Sequence, residues 1–158
     1  MVNVLEKYFN PKAIELAYYR VQCWPDRMVK DQAGIRAFKV DLANNCQNLS
    51  DKVIGGAYNP KRGFKFYVPK PSKTLRTKTT LNIEDAIVYQ AIADNLAKKN
   101  YDKLDQYSSF VFGSILNKEV TKGVSILKEE NPNFFFFRFW QGLYKKYSDA
   151  IIQAIEVD

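Results

Sequence analysis

Two prolines separated by one lysine, Pro69 and Pro71, constrain this chain more than any other local feature. Proline fixes φ near about −65° and has no N–H to give to a β-ladder. Upstream, residues 64–68 (Phe-Lys-Phe-Tyr-Val) alternate and are aromatic-rich, which is the pattern of a strand. Downstream, the threonine-rich run 74–81 has the same leaning. The prolines prevent the two runs from forming one strand, so the chain must turn back on itself. Residues 64–81 are therefore expected as an antiparallel β-hairpin with its tip at 69–73.

The flanks read as helical. Asn10-Pro11 is a cap with proline in the first turn, and AIELAYYRVQCW after it has apolar residues at helical spacing. Pro25 breaks that pattern, and Asp26 is expected to cap a second helix to about Asn44, with Met28, Ile35, Phe38 and Leu42 inward. A short third helix is expected at 49–54, closed by the turn signals Gly55-Gly56 and Asn59-Pro60. After the hairpin, Asn82 caps a helix expected over 83–99. Glu84 and Asp85 in its first turn and Lys98-Lys99 in its last suit the helix dipole, so Asp85 reads as a dipole partner rather than a catalytic acid. Its buried face is expected to be Ile83, Ile87, Ala91 and Leu96, flanked by Val88 and Ile92. A loop with a short element near 109–116 and a phenylalanine-heavy helix over 133–147 follow. The segment 150–158, AIIQAIEVD, reads as a strand stopping without a turn, which predicts a chain continuing beyond it.

Composition narrows the chemistry. The 158 residues contain no histidine, which excludes a Ser-His-Asp triad, a Cys-His pair, a His-ligated zinc and a histidine general base. Cys23 and Cys46 are too few for a disulfide framework and show no metal-binding spacing, so both read as reduced, buried apolar groups in a cytoplasmic chain. Nothing approaches the roughly 20 apolar residues of a membrane span. Four consecutive phenylalanines, Phe134 to Phe137, point all around a helix and read mainly as packing; exposed, they predict self-association. The formal net charge of +7 asks for a polyanionic partner.

That charge is concentrated. Lys61, Arg62, Lys65, Lys70, Lys73, Arg76 and Lys78 fall within eighteen residues that contain no acid, with Tyr58, Phe64, Phe66 and Tyr67 interleaved. A solvated hairpin ordinarily mixes both signs of charge, whereas one sign alone fits phosphate oxygens.

The order of the blocks is more specific than their composition. Tyr58-Asn59-Pro60, Phe-Tyr-Val-Pro-Lys-Pro (66–71), Thr-Leu-Arg (74–76) and Ile-Glu-Asp-Ala-Ile-Val-Tyr-Gln-Ala-Ile (83–92) follow in close sequence. Together they resemble the fingers region of bacterial reverse transcriptases of the retron, group II intron and abortive-infection group. Val111-Phe112-Gly113 and the aromatic segment 139–147 are similar to its connecting region, and Ile155-Glu156-Val157-Asp158 looks like the opening of its first palm motif. Two positions depart from the pattern: Ser72-Lys73 stands where a tip glycine is common, and Ala86 where an arginine often follows the aspartate.

The resemblance implies an α+β fold: a mainly helical fingers subdomain of a right-hand polymerase, with a small hairpin and the first palm strand. Residues 1–53 would be a helical extension, 54–149 the fingers and 150–158 the start of the palm. Lys70 and Arg76 would bind the triphosphate of a deoxynucleotide, and Lys61, Arg62, Lys65, Lys73 and Lys78 the nucleic acid. Asp158 would be a catalytic ligand of two Mg2+ ions in the complete enzyme. Partners would be an RNA template, a DNA or RNA primer and dNTPs, in a retroelement or in phage defence. The chain has no Asp-Asp pair, so alone it is expected to bind no magnesium stably and to be inactive. The rival reading from the residues is a non-catalytic, basic nucleic-acid-binding module; a third is a structural protein whose basic face meets an acidic protein.

Overall fold

The computed structural model describes residues 4–24, 30–108, 111, 115–118, 137 and 140–156. Among them it is a mixed α+β chain of six helices and one two-stranded antiparallel sheet. The chain divides into two compact units, 1–93 and 94–158.

The first unit begins with helices α1 (Val4–Phe9) and α2 (Pro11–Gln22). Asn10 separates them and caps the second, its Oδ1 accepting the Ala13 N–H at 3.0 Å, and Pro11 fills the first helical position as expected. Helix α3 (Gln32–Val40) is capped by Asp31, whose Oδ1 takes the Gly34 N–H at 2.8 Å. The expected cap at Asp26 and the inward Met28 lie outside the described residues. The expected helix to Asn44 is broken at Asp41, whose φ of −136° and ψ of 64° are not helical. Helix α4 (Leu42–Ile54) starts there, so the short helix expected at 49–54 is its second half. Gly55 ends it, and Gly56 takes the left-handed φ of 71° that favours glycine.

Apolar residues of these helices form one core with the start of helix α5 (Ile83–Asp105). Ile14, Ala17, Tyr18, Val21, Leu49 and Ile87 are almost inaccessible to water. Three polar groups that reach this interior are paired across the core. Tyr18 donates to the Ile35 carbonyl at 3.3 Å, Ser50 to the Phe9 carbonyl at 2.7 Å, and the Trp24 indole N–H to Gln90 Oε1 at 2.8 Å. Cys46 is buried and Cys23 partly so, both as free thiols.

Helix α5 runs to Asp105, past the expected end at Lys99. Its buried stripe is also not the expected one: Leu96 and Ile92 are exposed, while Gln90 and Asp94 are buried with Ala86, Ile87, Val88, Ala91 and Ala97.

In the second unit Tyr101, Ile115 and Leu143 are buried. Leu116 and Phe137 form an isolated antiparallel bridge, so the helix expected from 133 does not include Phe137; residues 133–136 lie outside the description. Phe137 is exposed rather than core. Helix α6 (Trp140–Glu156) contains the end of that expected helix, 140–147, and runs on through 150–156, where a strand was expected. The first palm strand is therefore not formed through residue 156, and Asp158 lies outside the described residues. No described helix is long and apolar enough to cross a membrane.

Candidate functional site

The basic segment folds as the expected hairpin. Strand β1 (Phe64–Pro69) pairs antiparallel with strand β2 (Leu75–Thr80) in the register Phe64↔Thr80, Phe66↔Lys78, Val68↔Arg76 and Lys65↔Thr79, Tyr67↔Thr77, Pro69↔Leu75. The Lys73 N–H donates to the Lys70 carbonyl at 2.9 Å and the Lys70 N–H to the Thr74 carbonyl at 2.8 Å. Pro71, Ser72 and Lys73 thus form a three-residue loop, with proline at the position whose φ it presets. Lys73 takes the left-handed φ of 64°, at the residue of such loops where glycine is usual. The Ser72 and Thr74 hydroxyls are 2.9 Å apart across the tip.

Strand β1 extends one residue further than expected, to include Pro69. The reason is the ladder. The bond between Lys70 and Thr74 fixes the alternation, so Pro69 faces Leu75 at a position making no inter-strand bond, where a missing N–H costs nothing.

The same alternation sorts the side chains. Directly opposed residues share a face, so Phe66, Val68, Arg76 and Lys78 lie on one side, and Lys70 opposite Thr74 continues that side. Lys65, Tyr67, Pro69, Leu75, Thr77 and Thr79 lie on the other, and all six are exposed. On the first face Phe66, Val68, Lys78 and Thr80 are half-buried, while Phe64, Lys70 and Arg76 are exposed. Lys70 and Arg76 are thereby brought onto one face, two residues or about 7 Å apart along the ribbon. Lys65 is not with them, and Lys73 occupies the turn itself.

Lys61 and Arg62 approach the hairpin at its base. Lys61 lines an open groove of about 420 Å³ between α3, α4 and the start of α5, with Lys52, Asn82 and Glu84. There Lys52 and Glu84 form an ion pair at 3.1 Å, in which both side chains keep much of their exposure. Such pairs contribute little to stability.

The base is fixed by Asp85. Its carboxylate accepts the Tyr58 hydroxyl, the Lys61 backbone N–H at 3.1 Å and the Asn82 amide, and its own N–H is capped by Asn82 Oδ1 at 3.0 Å. Asp85 is thus a buried junction between the turn before β1 and the first turn of α5, a larger role than the dipole partner read from sequence. The phenol of Tyr58 is pushed well above its ordinary range, first by burial, then by its hydrogen bond to this carboxylate. The sequence signal was present: Tyr-Asn-Pro-Lys stands before the strand and Asn-x-x-Asp opens the helix. The two acids that follow the hairpin are therefore both engaged, Glu84 by Lys52 and Asp85 by these internal donors.

Magnesium is a different matter. Among the described residues no group of three or more His, Cys, Asp or Glu side chains is placed to hold a metal ion. The described residues do not assemble the carboxylates that two-metal transfer needs. No protein-family model, curated protein or solved structure matches the chain.

Proposed function

We propose that the hairpin grips the phosphates of nucleic acid and nucleotides, and that the chain is the fingers-side part of an RNA-directed DNA polymerase. One observation carries the phosphate reading: Lys70, Arg76 and Lys78 share one hairpin face, within a segment 61–78 that has no acid. Arginine on a paired strand offers a planar fork to two phosphate oxygens, and a tip lysine adds a point charge beside it. Lys61, Arg62, Lys65 and Lys73 extend the positive field along the ribbon, where a template strand would track. The polymerase reading adds the block order from Tyr58 to Ile92, and rests on that resemblance.

Binding of a labelled single-stranded oligonucleotide and of a dNTP, measured across salt, separates the polymerase reading from a non-catalytic module. Oligonucleotide affinity should fall with salt at a logarithmic slope of about −2 or steeper, near −0.7 for each phosphate engaged. If the hairpin takes a nucleotide, Lys70→Ala and Arg76→Ala abolish dNTP competition but weaken oligonucleotide binding only in proportion to charge. In a plain binding module, free dNTP does not compete, and Lys61→Ala, Arg62→Ala and Lys73→Ala weaken binding as much as Arg76→Ala. A chain that binds neither ligand at about 50 mM salt refutes the phosphate reading.

A further inference from the structure

The hairpin face that carries Lys65, Tyr67, Pro69, Leu75, Thr77 and Thr79 lies opposite the face of Lys70 and Arg76. We propose that it is a stacking platform, centred on Tyr67, for an unpaired base of single-stranded nucleic acid, an inference that rests on the hairpin binding nucleic acid. Tyr67 is 63% exposed and Leu75 61%, although a tyrosine and a leucine at cross-strand diagonal positions would ordinarily help to cover a core. The pairs on this side are the ones without inter-strand backbone bonds, so their side chains stand closest together across the strands. Pro69 and Leu75 form such a pair, next to the Tyr67–Thr77 pair. The result is a small apolar, aromatic surface held on a paired ribbon.

Charge decides which occupant fits. Lys65 lies on the same face, two residues or about 7 Å from Tyr67, and the segment 61–78 has no acid to neutralise it. A ligand covering both groups must present a flat unsaturated ring and a nearby negative charge. A nucleotide within a single strand does both: its base stacks on the tyrosine and its phosphate meets the lysine. Duplex bases are already stacked on one another, so this face favours unpaired over paired nucleic acid.

The test uses the full chain and two labelled 12-mers of equal length and charge, one with bases and one abasic throughout. Wild type should bind the base-bearing strand about fivefold or more tightly than the abasic strand, the lower end of what stacking one base contributes. Tyr67→Leu keeps apolar bulk at an exposed site, and should erase that difference while leaving abasic binding and the salt slope unchanged. Tyr67→Phe should preserve it. Equal affinity of wild type for both strands, or equal weakening of both by Tyr67→Leu, overturns the stacking platform and leaves the phosphate-binding reading standing. Binding to neither strand removes both together. Displacement of the oligonucleotide by poly-glutamate whose own binding is lost in Tyr67→Leu overturns it in favour of an acidic protein partner.

Discussion

Lys73 occupies a backbone conformation that suits glycine, and replacing it separates two contributions that usually act together. With φ at 64°, its Cβ crowds the carbonyl that follows, a left-handed penalty of about 1–2 kcal/mol for a residue with a side chain. Lys73→Gly removes that penalty. It also frees the unfolded chain, which takes back about 0.4–1 kcal/mol. The steric effect is the larger, so the variant should be more stable by about 0.5–1 kcal/mol, with the turn bond from the residue 73 N–H to the Lys70 carbonyl kept. At about 2–4 °C per kcal/mol for a chain of this length, the melting temperature should rise by roughly 1–4 °C. Urea unfolding followed by circular dichroism should show a higher midpoint at unchanged slope.

Lys73→Ala is the control, since it drops the ammonium group and keeps the Cβ. If the gain comes from the backbone, Lys73→Ala leaves the midpoint near that of wild type while Lys73→Gly raises it. A Lys73→Gly midpoint below wild type would mean that only the entropic loss operates, and that residue 73 is not left-handed in solution. Both variants should weaken oligonucleotide binding equally. That outcome would show what the lysine supplies at a position where its backbone is disfavoured: a charge at the tip.

Three further perturbations probe the frame that holds the hairpin. Asp85→Ala leaves the Tyr58 hydroxyl, the Lys61 N–H and the Asn82 amide without their acceptor, and should cost about 2–3 kcal/mol in urea unfolding; a change below about 0.5 kcal/mol would refute the junction. Gly34→Ala drives a Cβ into the Asp31 carboxylate that caps α3, with Ile83 Cβ only 3.0 Å away, and should cost about 1 kcal/mol or more by the same assay. Alkali should unfold the chain through Cys46, whose thiol is pushed from 9.0 up to about 12 by burial, with the Glu15 carboxylate adding. An acid raised in this way stabilises the fold fully below its unfolded pKa and loses that contribution as pH climbs toward the folded value. Wild type should therefore lose about 1 kcal/mol between pH 9 and 10, before Tyr58 adds its own loss, and Cys46→Val should lose much less. An identical decline in both proteins would exclude Cys46 as the cause.

The hairpin was legible because each of its determinants is local. Proline placement, alternation and turn chemistry act within a few residues, so the strands and the cap at Asn82 came out within a residue of expectation, while the tip expected at 69–73 is tightened to the three residues 71–73. Partition of its cations between two faces follows from period two once the register is known, and register depends on the turn. The face of α5 was less legible. Ile92 and Leu96 fit an apolar stripe, yet Gln90 and Asp94 are buried in their place. A buried glutamine is tolerable when a partner such as the Trp24 indole accompanies it, and that partner lies 66 residues away in sequence. Asp85 shows the same limit: its role depends on donors from Tyr58 and Lys61, which local periodicity does not connect to a helix first turn.

The misreading at the carboxyl-terminal end has the greatest consequence for function. AIIQAIEVD looks alternating only when it is read in isolation. Joined to the preceding residues, Leu143, Tyr144, Tyr147, Ile151, Ala154 and Ile155 recur at three- and four-residue steps, the period of a helix. The intervening positions carry lysine, serine, aspartate, alanine and glutamine besides Ile152, with no proline to stop propagation, so residues 140–156 form α6 despite three isoleucines. A β-strand ending in Asp158 was the element on which a metal-binding role for that residue relied. With the segment helical to residue 156, the metal argument has no described scaffold, and the functional weight falls on the hairpin. The chemistry proposed for it is independent of the palm: phosphate recognition would need only the shared face of Lys70, Arg76 and Lys78, and base stacking only the Tyr67 face. A polymerase and a binding module would use that ribbon alike, differing in whether a free nucleotide competes for it.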